Sequence, residues 1–297
     1  MRLEYLDGQR AQIEQDIRHG AFFLTNHRDI CLDSAWLSLL LRQRYGIRPY
    51  IGMGNNLFGK WWIEPFVRFN RAFVVIRDGG PRELLQHSQV LSDYLRHLRQ
   101  RGKSIWLAQR EGRAKDGNDR TQPAVLKMLT LAGNEQKLSF LEAVMALNIC
   151  PVSLSYEFDP CDYLKAREMQ LKRDDATWHK SKEDDILSMK TGIEGQKGRV
   201  VFRMTPSINH WIVAHQDELN AMSRNEQITA VANQIDQQIF AGYEIFERGT
   251  DFDTYIESRL QMIDLPNKDE DFLRERLYEM YNNPVKNYEN SYFSRVI

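Results

Sequence analysis

Six short apolar runs constrain this chain more than any other feature. Residues 21–24, 49–53, 72–76, 104–108, 149–156 and 199–204 are each too short for a stable helix of their own. Between them lie polar and amphipathic stretches of helical pattern, such as residues 33–45 and residues 81–100, the latter stopped by Gly102. Apolar strands alternating with helices are what a sheet covered on both faces requires. The expected fold class is therefore α/β: a mixed, mostly parallel sheet flanked by helices, with a helical C-terminal extension. Residues 1–18 read as a polar helix, about 121–147 as mostly helical, 162–189 as one long charged helix, and 192–198 as a connecting turn. From His210 onward the pattern is helical and charged with no further strand. The expected organisation is an α/β domain over residues 1–209 and a helical extension over residues 210–297, packed on it.

Composition excludes several classes of function. The formal charge is −1, so no overall basic field draws nucleic acid. Cys31, Cys150 and Cys161 show no metal-ligand or redox spacing, which suits reduced thiols in the cytoplasm. Residues 1–20 lack the apolar core of a signal peptide, and no window approaches the roughly 18 apolar residues of a membrane span. The expectation is a cytoplasmic protein whose only membrane contact is peripheral, at the inner face. Trp61 and Trp62, with Phe58, Phe66 and Phe69, read either as core or as an interfacial patch.

The chemistry gathers where apolar runs end. His27, Asp29 and Asp33 lie between the first run and the helix that follows. A neutral imidazole there can take a proton from a hydroxyl, and a carboxylate can fix its tautomer. The same segment also reads as a helix start capped by Asp33, with His27 a plain loop residue. Arg77 follows the third run, and Arg110, Glu111, Gly112, Arg113 and Lys115 follow the fourth. In a parallel sheet such loops converge at one edge. A base among guanidinium and ammonium groups describes a site that holds a phosphorylated alcohol and activates its hydroxyl.

In order and spacing, these residues resemble the four conserved blocks of the glycerol-3-phosphate and lysophosphatidic acid acyltransferase family. The blocks are Asn26-His27-Arg28 with Asp33, then Phe73-Val74-Val75-Ile76-Arg77, then Glu111-Gly112-Arg113, then residues 149–157, Ile-Cys-Pro-Val-Ser-Leu-Ser-Tyr-Glu. The resemblance spans roughly residues 22–157, about half the chain. It implies a glycerolipid O-acyltransferase with His27 as general base and Asp33 orienting it. It further implies that Arg77 contacts the acceptor's phosphate, that Glu111, Gly112 and Arg113 shape the acceptor site, and that Pro151 and Val152 support the site or the acyl chain. The implied acceptor is glycerol phosphate or a lysophospholipid. The donor is acyl-CoA or an acyl carrier protein, with no bound cofactor and no metal. The chain departs from the family in two places. Five residues separate His27 from Asp33 where the family has four, so either a bulge absorbs one residue or Asp29 helps orient His27. The third block reads Glu-Gly-Arg rather than Glu-Gly-x-Arg, so that Lys115 or Arg110 takes on part of the phosphate work.

Other readings are weaker. His27-Arg28-Asp29 echoes a kinase catalytic loop, but Ser34 stands where that loop needs asparagine and only 26 residues precede it. The glycines of residues 192–198 follow a helix and precede a strand, the reverse of a phosphate loop. His87, His97, His179, His210 and His215 show no metal spacing, and there is no Gly-x-Ser-x-Gly elbow. The alternative to an enzyme is a non-catalytic lipid-binding or scaffold protein that keeps the fold.

Overall fold

A computed structural model describes residues 1–55, 65, 69–132 and 138–293. The described residues form a seven-stranded sheet in the order β1-β7-β6-β2-β5-β3-β4. The strands are β1 (Arg2–Tyr5), β2 (Phe22–Thr25), β3 (Tyr50–Gly54), β4 (Ala72–Val75), β5 (Ile105–Ala108), β6 (Ile149–Tyr156) and β7 (Val200–Met204). Every neighbouring pair is parallel except β6 with β7. The fold is α/β, as the alternation of runs implies.

Side chains alternate across the central strands. Phe22, Leu24, Ile105 and Leu107 enter one core with α3 (Pro81–Gln100), α4 (Pro123–Leu129) and α5 (Phe140–Leu147). Phe23 and Trp106 enter the other, with α1 (Arg10–Ile17) and α2 (Leu32–Tyr45). Burial of each Phe or Leu contributes about 1.5–3 kcal/mol. Two covered faces explain why these strands read as continuous apolar runs rather than alternating ones.

Three local expectations need correction. Residues 1–18 are not one helix: Arg2–Tyr5 is an edge strand, Gly8 turns the chain at φ 72°, and α1 follows. Arg2 is exposed and Glu4 only partly buried in this edge strand, so it does not stand out in a hydrophobic pattern. Residues 162–189 are two helices, α6 (Asp162–Asp174) and α7 (Lys182–Glu194). Asp175 takes the Thr177 amide, and Ser181 caps α7 by accepting the Asp184 N–H, so short polar side chains outcompete the helix between them. Gly192 lies inside α7 rather than in a turn.

Beyond residue 207 the described chain is helical: α8 (Asn209–Ala214), α9 (Gln216–Ala221), α10 (Arg224–Ala241), α11 (Phe252–Gln261) and α12 (Glu270–Phe293). Its packing divides. Ile228, Val231, Ile235 and Ile239 of α10 share the core of Phe22 and Leu24. Helices α11 and α12 close a third cluster around Ala166 of α6.

Candidate functional site

Strand β2 lies between β5 and β6. The chain leaves it for β3 and β4 on one side, returns to β5 beside it, and then crosses to β6 on the other. A crevice opens outside the strand ends at such a reversal. β2 stops pairing at Thr25, opposite Ala108 and Val152. Asn26 replaces the next ladder bonds with its side chain: Oδ1 accepts the Leu154 N–H at 2.7 Å, and Nδ2 donates to the Leu154 carbonyl at 2.9 Å. The backbone can then leave the sheet without unpaired buried groups, and His27 stands at its edge.

Asp33, in the first turn of α2 and 1 % exposed, gathers that turn. Its Oδ2 accepts His27 Nδ1 at 2.8 Å, the Arg28 N–H at 2.6 Å and the Asp29 N–H at 3.0 Å. Its Oδ1 accepts the Tyr156 hydroxyl at 2.8 Å. A carboxylate ringed by donors acts as acceptor, so Nδ1 holds the imidazole proton and Nε2 keeps its lone pair. Trp106 meets the His27 ring edge-on, centroids 6.1 Å apart.

The five residues between His27 and Asp33 are folded into a tight turn. Asp29 Oδ1 accepts the N–H groups of Cys31 and Leu32, both at 2.8 Å. Its Oδ2 is buried with no hydrogen-bond partner, and burial together with the Asp33 charge pushes its carboxyl above the usual range. Asp33 is the partner of His27; Asp29 shapes the turn. From behind, Arg28 forms a buried pair with Asp119 at 3.1 Å, and Lys165 donates to the Arg28 carbonyl at 3.2 Å.

His27 opens into a cleft of about 810 Å³ that also takes in Arg77, Arg110, Glu111, Gly112, Arg113 and Lys115. The loops after β2, β4 and β5 thus meet in one place. The Arg77 amide donates to Asn55 Oδ1 at 3.2 Å, and Asn55 Nδ2 donates to Asp78 at 3.0 Å. The Glu111 amide donates to Gln122 Oε1 at 2.8 Å. Gly112 has φ 66°, a left-handed conformation that favours glycine. Arg113 is only 7 % exposed, and its Nη1 is buried without a partner; Arg110 Nε is likewise buried and unpaired. Lys115 is tied to Glu168 of α6, and burial pulls its ammonium down to about 8 against the pull of that carboxylate.

Several cleft residues escape a reading by strand ends. Lys172 reaches the other oxygen of Glu168 at 3.5 Å, and His179 and Lys180 sit in the break between α6 and α7. Asp175 and Ser181 were the signal for that break. Tyr156 was visible only as the end of an apolar run. Val152 is in the core and Pro151 is within β6, and neither lines the cleft. Trp61, Trp62, Phe58 and Phe66 lie outside the described residues, and Phe69 is 90 % exposed.

Among the described residues no group of three His, Cys, Asp or Glu side chains is arranged to hold a metal ion, and no helix is long and apolar enough to cross a membrane. No protein-family model matches the chain, and no curated protein matches it at a significant level of sequence similarity.

Proposed function

We propose that this chain is an acyltransferase that moves a fatty acyl group from an acyl thioester to the hydroxyl of glycerol phosphate or a lysophospholipid. The observation that carries the reading is the His27–Asp33 pair at 2.8 Å, opening into the cleft that Arg113 also lines, its Nη1 buried without a hydrogen-bond partner. Asp29 is close enough to feel the Arg113 charge, but no ion pair holds that guanidinium among the described residues. An unmatched buried N–H suits an anion, and the phosphate ester on the same glycerol backbone as the reacting hydroxyl supplies it. Arg77, Arg110 and Arg113 hold the phosphate, with Lys115 beside them, and binding energy is converted into orientation of the hydroxyl. His27 Nε2 removes the hydroxyl proton as the oxygen attacks the thioester carbonyl, and Asp33 stabilises the imidazolium. The intermediate collapses, the carbon–sulfur bond breaks, and the thiolate takes the proton back from His27. The thioester is already activated, so no acyl-enzyme is needed. Ile76, which lines the cleft, and Leu85 and Val90 of α3 are apolar side chains left in solvent, which suits an acceptor presented at a bilayer surface. The acyl donor is acyl-CoA or an acyl carrier protein.

The test is acyl transfer from labelled donors to phosphorylated acceptors. His27→Ala should lower the rate by roughly 10²–10⁴ with the fold intact. Asp33→Asn should be far more damaging than Asp29→Asn, because Asn at 29 keeps the oxygen that caps the turn. Near wild-type turnover in folded His27→Ala would sink the mechanism. The absence of transfer to any such acceptor by the wild type would favour a lipid-binding protein.

A further inference from the structure

Tyr156 is the last residue of β6, beyond the point where β2 ends. Pairing with Val200 of β7 fixes its backbone, and the Asn26 bonds to Leu154 fix the strand two residues earlier. Its ring leans on Trp36, centroids 5.9 Å apart. Trp36 stands three positions after Asp33 in α2, on the same helical face. The aromatic pair therefore aims the phenol at Asp33. Its hydroxyl is the hydrogen-bond donor that Asp33 Oδ1 receives among the described residues. Burial, then the charges of Asp33 and Asp29, push the phenol well above its usual range, so it stays protonated and passes no proton to the reaction.

We infer that Tyr156 is a positioning residue that sets how strongly Asp33 supports a proton on His27, given the general-base reading of His27. A carboxylate has a fixed charge to share among its donors. The phenol draws part of it to Oδ1 and holds the carboxylate plane so that Oδ2 meets the imidazole. Without the hydroxyl, Oδ1 is left buried and unpaired, and more of the negative charge acts on the imidazolium. The other titratable or charged groups around the dyad are Arg28, Asp29 and Cys31 on its own turn, Arg113 from the loop after β5, Asp159 after β6, Lys165 of α6 on the Arg28 carbonyl, and Lys197 over the Trp36 ring. None of them loses a hydrogen bond when the phenol oxygen is removed, so Tyr156→Phe isolates its effect.

The experiment follows the His27 titration by NMR of histidine-labelled protein, the signal being identified by its loss in His27→Ala. The pH profile of kcat/KM for acyl transfer is measured alongside. In Tyr156→Phe the His27 midpoint and the acid limb of the profile should both rise by about 1 pH unit. At the plateau kcat should fall about tenfold with the acceptor KM within about twofold, the pattern of a lost transition-state interaction. A folded Tyr156→Phe protein with an unmoved His27 midpoint overturns the proposal, whatever its rate. Should Tyr156→Phe not fold, 3-fluorotyrosine at position 156, a stronger donor, should move the midpoint downward, and no movement again overturns the proposal. The NMR readout needs no substrate. A shifted midpoint in a protein without acyl transfer therefore supports the Tyr156–Asp33–His27 coupling while removing the acyltransferase reading.

Discussion

Gly192 abuts Asp29: a β-carbon built on this glycine would stand 2.1 Å from Asp29 Oδ2. Helix α7 thereby presses on the turn that displays His27. Helix propensity alone favours alanine over glycine there by about 1 kcal/mol. Overpacking acts in the other direction, typically by about 1–3 kcal/mol. Gly192→Ala should therefore destabilise the protein in urea unfolding and slow the proposed acyl transfer, because Asp29 must move and take the turn with it. Adding Asp29→Ala should recover part of the lost stability. A net stabilisation by Gly192→Ala would mean that the contact yields freely.

Arg113 is the sharper probe of the proposed phosphate site, since it is buried while Arg77 is only partly so. Losing a charge-assisted contact of about 1.5–3 kcal/mol corresponds to roughly ten- to a hundredfold. Arg113→Ala should raise the KM for a phosphorylated acceptor by that factor, and Arg77→Ala by less. Arg113→Lys should rescue only in part, because a point charge lacks the planar fork. None of these variants should change the reaction of an acceptor without phosphate. Equal losses on both acceptors would make Arg113 a structural residue of the loop and place the phosphate elsewhere.

The parts of this molecule that were legible in sequence share one physical cause. Phe22, Leu24, Ile105 and Leu107 are buried and apolar, so their strands announced themselves, and the loops after them carried His27, Arg77 and Arg113 to one edge by topology alone. What stayed hidden depends on contacts distant in sequence. Nothing local to residues 162–189 shows that Lys172 and Lys180 overhang residues that follow β5. Tyr156 is 123 positions from Asp33, and only the β2–β6 register brings them together. The choice between Asp29 and Asp33 turned on which carboxylate the turn itself consumes, and spacing could not decide it. Gly192 reads as a helix breaker until Asp29 is seen to need its space.

Asp236 makes a separate prediction about stability. It is 3 % exposed on α10, and its Oδ1 accepts both the amide and the hydroxyl of Thr121, at 2.7 and 2.6 Å. Burial pushes its carboxyl up to about 6, although the Thr121 bonds and the Arg120 charge act the other way. In the unfolded chain an aspartate titrates near ~3.9. The folded state therefore binds this proton more tightly. The stability it contributes is complete below about pH 4 and is lost as pH rises through about 6. Above that, ionised Asp236 costs the fold up to about 3 kcal/mol, from a shift of roughly two units. Asp236→Asn keeps an oxygen for both Thr121 donors and never ionises. It should raise the melting temperature at pH 8 by several degrees, on a scale of about 2–4 °C per kcal/mol for chains somewhat shorter than this one. The gain should shrink toward zero as the pH falls to about 4, where the native carboxyl is also neutral. Melting curves of both proteins across pH 4–8 test this. An equal gain at every pH would show that the carboxyl does not titrate in this range, and that the amide acts through packing instead.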